Sequence, residues 1–200
     1  MRFTSDARAY PAQLGRFLWS WVQNPTAVGA LVPSGRELSR LMVQGVLPGS
    51  RVIELGAGTG TVTRAILEAG VEPEDLDVVE MDPSFVKLLR VRFPDIGIHV
   101  VDATTISRRR LDMNGQVDFV ISCLPLLLLS RAQKLRLLTG AFAMLGPGGV
   151  FHQFTYGARC PIDQKMLARI GLTAQRIGVA TRNLPPAFVY RVSRLGDSFL

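Results

Sequence analysis

The chain contains few of the residues that metal sites and disulfide frameworks require. Its 200 residues include two histidines, His99 and His152, and two cysteines, Cys123 and Cys160. With so few nitrogen and sulfur ligands, no metal site is expected. Two cysteines in a chain that shows no cleavable apolar leader indicate the reducing cytoplasm rather than a secreted, disulfide-stabilised domain.

Long apolar runs are also missing. A membrane-spanning helix needs about 18 consecutive apolar residues, and Pro11, Asn24, Pro25 and Pro33 interrupt the apolar N-terminal region before that length is reached. The sequence therefore predicts a protein that is not integral to a membrane, although its mean hydropathy of +0.23 is high for a soluble chain. A hydrophobic content of 48% is enough for one sizeable core.

Positive charge is concentrated at the two ends of the chain. The 23 basic and 16 acidic residues give a formal net charge of +7. Residues 1–46 carry five arginines against two acidic residues, residues 151–200 carry seven basic residues against two acidic ones, and the middle is nearly neutral. This distribution predicts that the ends meet an anionic surface, either a membrane or a nucleic acid.

The most informative motif is a glycine-rich turn after a short apolar run. The segment 51–55 predicts a buried strand, and glycines follow it at alternate positions, 56, 58 and 60. Glycines let a ligand approach the main chain, and the N–H groups that open the next helix attract an anionic group. The dinucleotide fingerprint G-x-G-x-x-G would need a glycine at Thr61. The spacing G-x-G-x-G, with Glu54 two residues before it, resembles motif I of class I S-adenosylmethionine (SAM) dependent methyltransferases; a structural turn is the alternative.

Acidic residues stand at the ends of the next two predicted strands. Strand 76–80 ends at Glu80, where a carboxylate can accept hydrogen bonds from ribose hydroxyls, and Met81 would flank the adenine ring. Strand 97–101 is followed by Asp102 and Ala103, where this superfamily contacts the adenine amino group. Asp82 is predicted to cap the intervening helix. The alternation of strands and helices predicts a parallel sheet with its site at the carboxyl ends of the strands.

Residues 13–22 predict an amphipathic helix with two possible environments. Its apolar residues recur at helical spacing and are Leu14, Phe17, Leu18, Trp21 and Val22. Arginines and aromatic residues around this stripe, including Tyr10 and Arg16, fit a helix lying in a lipid interface. The alternative is a helix that packs the stripe on the core, but Trp19 lies off the stripe and favours the interface.

A second helix is predicted just before the first strand. Ser34 and Glu37 have the spacing of a capping box, and apolar residues follow at helical spacing. In many methyltransferases a helix at this place covers the cofactor, so Ser34 is a candidate to contact the methionine end of SAM, with a plain N-cap as the alternative. We expect two parts: a helical membrane-association or cap segment, 1–46, and a methyltransferase core, 47–200.

The fourth predicted strand, 117–122, leads into a leucine-rich segment. Methyltransferases that act on amino groups of nucleic acids place Asn or Asp and then x-Pro-aromatic here. This chain has Cys123 and Leu126 at the polar and aromatic positions. A nucleobase would lose its stacking platform, whereas leucines 126–129 suit an acyl chain; the alternative is that they begin the core of the next helix. Strand 150–156 would bring Tyr156 beside the transferred methyl.

Several segments together resemble the short bacterial phospholipid N-methyltransferases, which methylate phosphatidylethanolamine toward phosphatidylcholine. They are Val28-Gly29-Ala30, Pro33-Ser34-Gly35, the glycine turn, Leu124-Pro125-Leu126-Leu127, Gln153-Phe154-Thr155-Tyr156-Gly157 and Asn183-Leu184-Pro185-Pro186-Ala187. The resemblance implies a Rossmann-like α/β fold with a seven-stranded, mostly parallel sheet, helices on both faces and the N-terminal amphipathic helix as an extension. Val101 before Asp102 departs from the frequent glycine.

The resemblance also implies the roles of individual residues. The cofactor would be SAM, with S-adenosylhomocysteine as product, and its candidate contacts are Ser34, Glu54, Gly56, Ala57, Gly58, Gly60, Glu80, Met81, Asp102, Ala103 and Ser122. The carbonyls of Cys123 and Leu124 would accept hydrogen bonds from the amine, and Tyr156 would hold the methylated cation or relay a proton. The substrate and membrane candidates are Tyr10, Leu14, Arg16, Phe17, Trp21 and Leu126.

The resulting prediction is an enzyme that is peripheral on the cytoplasmic face of the inner membrane. Its partners would be an anionic bilayer and phosphatidylethanolamine, with no nucleic acid and no obligate protein partner. One alternative is an rRNA adenine dimethyltransferase, which the basic pI of about 10.2 favours, but the Asn-Leu-Pro-Tyr-type motif and a C-terminal RNA-binding domain are not seen. Another is a non-catalytic lipid-binding module, against which the intact glycines, Glu80 and Asp102 argue. The run 108–110 of three arginines meets either solvent or a phosphate.

Overall fold

The computed structural model describes residues 33–107, 111, 116–183 and 185–197. The strands are β1 (Val52–Leu55), β2 (Leu76–Val79), β3 (Gly97–His99), β4 (Val117–Ser122), β5 (Leu145–Thr155), β6 (Leu172–Ala180) and β7 (Ala187–Arg194). The helices are α1 (Pro33–Met42), α2 (Thr61–Glu68), α3 (Pro83–Arg92), α4 (Arg131–Met144) and α5 (Gln164–Arg169). Short 3-10 turns cover Pro73–Asp75, Ala103–Thr105 and Leu126–Leu128.

Some predicted features lie outside the described residues. They are the amphipathic helix at 13–22 with Tyr10, Leu14, Arg16, Phe17 and Trp21, the arginines at 108–110, and the side chain of Ser34. The roles of these residues, and the boundary at residue 46, stay predictions.

The strands form a single seven-stranded sheet in the order β3-β2-β1-β4-β5-β7-β6. Strands β1 to β5 pair in parallel, while β7 is antiparallel to both β5 and β6. The predicted seven-stranded, mostly parallel sheet is confirmed, and the antiparallel hairpin of β6 and β7 completes it. Because the order reverses between β1 and β4, their carboxyl ends open a crevice at the place where such sheets bind ligands.

Apolar side chains are buried on both faces of the sheet, as parallel sheets require. On one face Leu55 and Phe151 pack with Leu137 and Leu138 of α4. On the other face Ile121 belongs to a cluster with buried residues of α1, α2 and α3. The prediction of helices on both faces is therefore confirmed.

Strand β5 begins earlier than the sequence suggests. The predicted strand covers 150–156, whereas β5 also contains the glycine-rich residues 146–149, where the register against β4 shifts between Val117 and Phe119. The Arg194 guanidinium on β7 donates hydrogen bonds to the carbonyls of Gly146 at 2.7 Å, Phe142 at 2.9 Å and Leu145 at 2.9 Å. These bonds tie β7 to the end of α4 and to the start of β5.

The predicted capping box of the first helix is wrong, because α1 already begins at Pro33 and Ser34 is a first-turn residue. Proline suits the first helical position, since its fixed φ matches the helix and it has no N–H to satisfy. The Glu37 carboxylate instead accepts a hydrogen bond from the backbone N–H of Arg182, at 2.9 Å. That bond ties α1 to the turn between β6 and β7.

The predicted cap at Asp82 is confirmed, and α4 also begins with a cap. Asp82 accepts hydrogen bonds from the N–H groups of Ser84 and Phe85 at the start of α3. Ser130 and Gln133 form a reciprocal capping box at the start of α4. Helix α4 buries Leu137 and Leu138, while Leu135 is 39% exposed.

None of the described helices is long and apolar enough to cross a bilayer. The described ranges also contain no group of three or more His, Cys, Asp and Glu side chains arranged to hold a metal ion. Both histidines have structural partners: His99 Nε2 lies 2.6 Å from Asp77 Oδ1, and His152 Nδ1 lies 2.9 Å from the Met42 carbonyl oxygen.

Candidate active site

The glycine turn connects β1 to α2 through three residues in the left-handed region. Gly56, Gly58 and Gly60 have φ values of +75°, +55° and +82°. The turn is closed by a hydrogen bond from Gly60 N–H to the Ala57 carbonyl at 2.9 Å and is joined to β2 by one from Gly56 N–H to the Val79 carbonyl at 2.8 Å. Side chains other than glycine rarely adopt these torsions.

At two of these positions, close neighbours also leave no room for a side chain. A Cβ atom on Gly56 would lie 2.7 Å from Leu124 Cδ2, and one on Gly60 would lie 2.5 Å from Phe93 Cε2. Gly60 is therefore a packing glycine against the end of α3 as well as the N-cap of α2. Gly56 instead brings the cofactor turn against the leucine-rich segment after β4.

Glu80 holds the glycine turn against the end of β2. Its Oε2 accepts a hydrogen bond from Gly58 N–H at 2.9 Å, while Oε1 accepts from Met81 N–H at 2.8 Å and from Asp82 N–H at 2.9 Å. A carboxylate oxygen has two lone pairs, so Oε2 has room for one further donor. The Glu80 carboxylate is thus held in one orientation, and its Oε2 can still accept a hydrogen bond from a group in the crevice. A ribose hydroxyl suits this acceptor.

Glu54 is fully buried beneath the turn. Its Oε2 accepts a hydrogen bond from Thr63 Oγ1 at 2.5 Å, and the Cys123 thiol lies 4.0 Å from Oε1. Burial raises the pKa of Glu54 to about 7, with the nearby Glu80 charge adding to the effect and the Thr63 bond opposing it. The side chain therefore ties β1 to α2 and lies behind the turn.

The adenine-end candidates lie where the sequence predicts. Met81 is 64% exposed at the end of β2, so a large apolar surface is available there to a planar ring. Asp102 is exposed and its Oδ1 accepts a hydrogen bond from Thr104 N–H at 2.8 Å, while Ala103 is buried. Asp102 lies three residues after the end of β3 and is the N-cap of the 3-10 turn Ala103–Thr105.

The end of β4 places two backbone carbonyls and one unpaired hydroxyl near the crevice. Ser122 is fully buried, and its Oγ has no hydrogen-bond partner within the described part of the chain. The Leu124 carbonyl accepts a hydrogen bond from Gln153 Nε2 at 3.0 Å, and the same amide donates to the Phe154 carbonyl at 2.7 Å. The Leu124 carbonyl also accepts a hydrogen bond from Leu126 N–H at 2.9 Å. Because a carbonyl oxygen has two lone pairs, both are already in use, and an amine could only share one of them.

An apolar cleft opens between the ends of β4 and β5. It has an empty volume of about 440 Å³, counted to its open mouth, and is lined by residues 123–128, Phe154, Thr155, Tyr156 and Pro161. Leu126, predicted as a substrate contact, is only 2% exposed and belongs to the core below the cleft. Leu127 and Leu128 are 41% and 42% exposed, because the 3-10 turn rotates them away from that core. The leucine segment thus divides between core and cleft, which sequence periodicity could not resolve.

Both ionisable groups of the cleft stay protonated at neutral pH. Burial raises the pKa of the Tyr156 hydroxyl, and the bond to the Asn183 side chain only partly offsets it. The pKa of the Cys123 thiol is raised well above its usual value by burial and by the charges of Glu54 and Glu80. Neither group is a resting anion, so Tyr156 can contribute a hydroxyl oxygen and an aromatic face and Cys123 its backbone carbonyl.

The arrangement defines a class I SAM-dependent methyltransferase, and comparisons with known proteins agree. A family model described as "Methyltransferase domain" matches residues 53–151. The N-methyltransferase NodS of Bradyrhizobium japonicum, solved with S-adenosylhomocysteine, superposes with a TM-score of 0.64 at 16% identity, over 90% of this chain and 97% of that one. The magnesium protoporphyrin IX methyltransferase of Synechocystis, solved with SAM, gives 0.62 at 13% identity, over 95% and 100%.

A curated relative extends the similarity to nearly the whole chain. The ornithine lipid N-methyltransferase of Singulisphaera acidiphila is 33% identical over 192 residues, which cover 92% of this chain and 97% of the relative. The chain therefore belongs to the same methyltransferase family as that lipid N-methyltransferase. Ribosomal RNA small subunit methyltransferase A of a Marinomonas species is 34% identical, but over only 38% of this chain and 29% of its own length.

The prediction of SAM as cofactor is confirmed, and the residues present fit it. The three left-handed glycines bring main chain to the crevice, Glu80 offers a lone pair to a ribose hydroxyl, and Met81 offers an apolar surface to the adenine. The Ser122 Oγ is buried without a hydrogen-bond partner among the described residues. Buried polar groups normally have a partner, so a polar atom of the cofactor would suit this position. The individual contacts of these residues with SAM stay predictions.

Sequence reasoning assigned no role to Gln153 and Asn183. Gln153 is a fully buried amide in a strand whose other residues are mostly apolar. A polar residue at such a position is unusual, and this could have identified Gln153 from the sequence. Asn183 is 8% exposed, bonds Tyr156, and its Oδ1 has no partner in the described ranges. Gln153 and Asn183 both lie in segments that resemble those of phospholipid N-methyltransferases.

Proposed function

We propose that the protein transfers methyl groups from SAM to the headgroup amine of phosphatidylethanolamine, toward phosphatidylcholine, at a membrane surface. The observation that carries this proposal is the apolar cleft beside the Leu124 carbonyl, with Leu127 and Leu128 exposed at its mouth. Acyl chains suit such walls, whereas a base would need an aromatic platform in place of Leu126. The lipid N-methyltransferase relative of similar length supports the same substrate class.

The residues at the crevice suit an amine that must be bound, aligned and deprotonated. When bound, SAM supplies an activated methyl group, and alignment of the amine with it provides much of the acceleration. A primary ammonium has a pKa of about 10, like that of lysine, and must lose a proton before it can attack. The Cys123 carbonyl can hold the amine by an N–H group, and the Leu124 carbonyl can share one of the two lone pairs that already accept from Gln153 and Leu126. Tyr156 keeps its own proton, so its oxygen can accept one only while passing its proton on to water.

Aromatic side chains near the cleft suit the methylated products. The Phe154 and Tyr156 rings meet edge to face with centroids 5.6 Å apart, and both line the cleft. A methylated ammonium keeps its positive charge, loses N–H donors and is attracted by aromatic faces. The two rings therefore favour retention of a lipid during successive methylations.

Membrane association is part of the proposal. Leu127, Leu128 and Leu135 expose large apolar surfaces near the start of α4, whose first turn carries the exposed Arg131. Leucines beside an arginine match the interface of an anionic bilayer. We propose that this surface acts with the N-terminal amphipathic helix, and that the enzyme is peripheral on the cytoplasmic membrane face.

A second candidate substrate is an ornithine lipid. The relative that is similar over nearly the whole chain is named for that lipid. Ornithine lipids and phosphatidylethanolamine both present a primary amine near an anionic group and acyl chains, so one cleft can suit either.

The deciding experiment measures radiolabelled methyl transfer from SAM to three acceptors: phosphatidylethanolamine vesicles, ornithine lipid vesicles and bare ribosomal RNA. We expect label in the phosphatidylethanolamine. Glu80→Ala should abolish transfer, while Glu68→Ala, which removes an exposed carboxylate of α2, should leave it intact.

Label confined to ornithine lipid would show that the substrate is ornithine lipid instead of phosphatidylethanolamine, while the proposed reaction, N-methylation of a lipid amine, would stand. Label confined to RNA would refute the lipid proposal. SAM binding without label in any acceptor would favour the non-catalytic lipid-binding module.

A further inference from the structure

A second cleft adjoins the apolar one and differs from it in character. Its empty volume is about 690 Å³, counted to its open mouth, and it is lined by Arg131, Lys134, Cys160, Pro161, Asp163 and Met166. Pro161 lines both clefts and forms the wall between them. The site described above uses none of the polar residues of this second cleft.

Two cations of helix α4 face this cleft. Arg131 is exposed in the first turn, and Lys134 follows it by three residues, so both project from the same side of the helix. Lys134 is half-buried, and its Nζ donates a hydrogen bond of 2.8 Å to the Pro161 carbonyl. An ammonium has three donors, so this bond orients Lys134 at the wall between the two clefts and leaves donors for a ligand.

The other groups of the cleft leave an excess of positive charge. Asp163 caps α5, and its Oδ1 accepts a hydrogen bond from Met166 N–H at 3.0 Å. Burial raises the pKa of the Cys160 thiol, so Cys160 carries no charge at neutral pH. Burial also lowers the pKa of Lys134, so an anion beside its ammonium would relieve an unfavourable placement.

We propose that this basic cleft, formed by Arg131 and Lys134, binds the anionic group of the lipid headgroup while the amine lies in the apolar cleft across Pro161. The inference rests on the proposed function and adds to it a specificity site. The ligand chemistry is a phosphate monoanion, or a carboxylate at the same place, separated from the amine by a few covalent bonds. Such a site selects aminolipids that carry an anion next to the amine.

The test compares two acceptors in the same nonionic detergent micelles at fixed ionic strength. Phosphatidylethanolamine carries the phosphate, and hexadecylamine carries an amine and an alkyl chain without an anion. The variants are Arg131→Gln, Lys134→Gln and their combination. The matched control is Arg136→Gln, which removes an exposed charge from α4 outside the cleft. SAM binding and thermal unfolding establish that each variant is folded.

For the double variant we expect KM for phosphatidylethanolamine to rise about tenfold, the loss that a charge-assisted hydrogen bond supports. KM for hexadecylamine should be unchanged, and Arg136→Gln should change neither. The single variant Arg131→Gln, at an exposed position, should show part of the effect if the double variant is poorly folded.

Equal rises in KM for both acceptors, or no change with phosphatidylethanolamine, would overturn the proposal. Inorganic phosphate should compete with phosphatidylethanolamine and not with hexadecylamine. If phosphate binding depends on Arg131 and Lys134 while KM for the lipid does not, the cleft is a free-phosphate site and the headgroup assignment is wrong. If the unaltered protein methylates neither amine, the proposed function itself fails, and the headgroup site with it.

Discussion

A Cβ atom on Gly56 would lie 2.7 Å from Leu124 Cδ2, so the cofactor turn and the substrate segment pack directly against each other. Gly56 belongs to the turn after β1, and Leu124 lies between the last residue of β4 and the apolar cleft. The carbonyl proposed to hold the amine therefore has its position set partly by the turn proposed to hold the cofactor. This contact couples the two halves of the site.

Gly56→Ala is expected to damage both halves. The left-handed torsion costs a residue with a Cβ about 1 to 2 kcal/mol, and the overlap with Leu124 adds about 1 to 3 kcal/mol. The free energy of unfolding, measured with urea, should fall by about 2 to 5 kcal/mol, since the two costs add. The SAM dissociation constant should rise as well.

Gly49→Ala is the control for this variant. Gly49 has a φ of +84° and no neighbour within 4 Å of a built Cβ, so it reports the torsional cost alone. In a double-mutant cycle, Leu124→Ala should recover about 1 kcal/mol of the Gly56→Ala loss. Equal costs at positions 49 and 56 would show that the contact with Leu124 is unimportant.

Gln153→Leu is expected to lower kcat without changing SAM affinity. The variant keeps the side-chain volume approximately but removes the donor to the Leu124 and Phe154 carbonyls. The Leu124 carbonyl then keeps only its bond from Leu126 N–H and is held less firmly. We expect kcat to fall about tenfold, which corresponds to about 1.4 kcal/mol of lost transition-state stabilisation. Steady-state kinetics and SAM titration measure the two effects, with Gln175→Leu, an exposed change on β6, as control. Unchanged kcat would assign Gln153 a purely structural role.

The stability of the protein should depend on the ionisation of Glu54. Its pKa is about 7 in the folded protein against 4.5 for the free side chain, so the folded state binds this proton more tightly than the unfolded state. Stability from this group is present below pH 4.5 and is lost as pH rises through 7, by about 3 kcal/mol in total. In urea titrations from pH 4 to pH 8, Glu54→Gln should gain about this much relative to the unaltered protein. A constant difference across the range would contradict it.

His152 should act in the opposite direction. Burial lowers its pKa to about 4 from 6.5, and its Nδ1–H donates to the Met42 carbonyl in the neutral form. The unfolded state therefore binds the proton more tightly, and stability is lost as pH falls from 6.5 through 4, by about 3 kcal/mol. His152→Gln, which can keep the bond to Met42, should remove this loss. In the unaltered protein the effects of Glu54 and His152 oppose each other, so the free energy of unfolding should be nearly constant between about pH 4.5 and 6.5. A steep loss of stability toward acid pH in His152→Gln would refute the role of His152.

The N-terminal helix gives a prediction that does not depend on the described residues. Replacing Leu14, Phe17 and Trp21 with Ser should abolish vesicle binding in a flotation assay and leave SAM affinity largely intact, because the apolar stripe would lie in the lipid interface. Ser20→Ala with Gln23→Ala alters the polar face and should leave both properties unchanged. Equal loss of vesicle binding and SAM affinity would mean that the helix packs on the core.

Much of the fold follows from local patterns in the sequence. The alternation of apolar strands and amphipathic helices predicts the parallel sheet, because each parallel pair needs a crossover helix. The glycine spacing after 51–55 predicts the cofactor turn, since its left-handed torsions require glycine. Glu80 and Asp102 are predicted at one edge because the carboxyl ends of parallel strands share that edge. Each of these inferences uses residues close together in the chain.

Other features depend on residues that are distant in sequence and meet only in the folded chain. Leucines 126 and 127 are chemically alike, and only packing buries the first and exposes the second. Glu37 has the spacing of a cap, yet its carboxylate accepts a hydrogen bond from the backbone N–H of Arg182, which is 145 residues away in the chain.

The sequence by itself determined the fold class, the cofactor and the strand ends that form the site, because torsional preference and hydrophobic period act locally. The tertiary structure decided which polar group orients the Leu124 carbonyl, which leucines face the cleft and where the basic cleft of Arg131 and Lys134 lies. These contacts join segments far apart in the chain, and local preferences do not specify the distances between such segments.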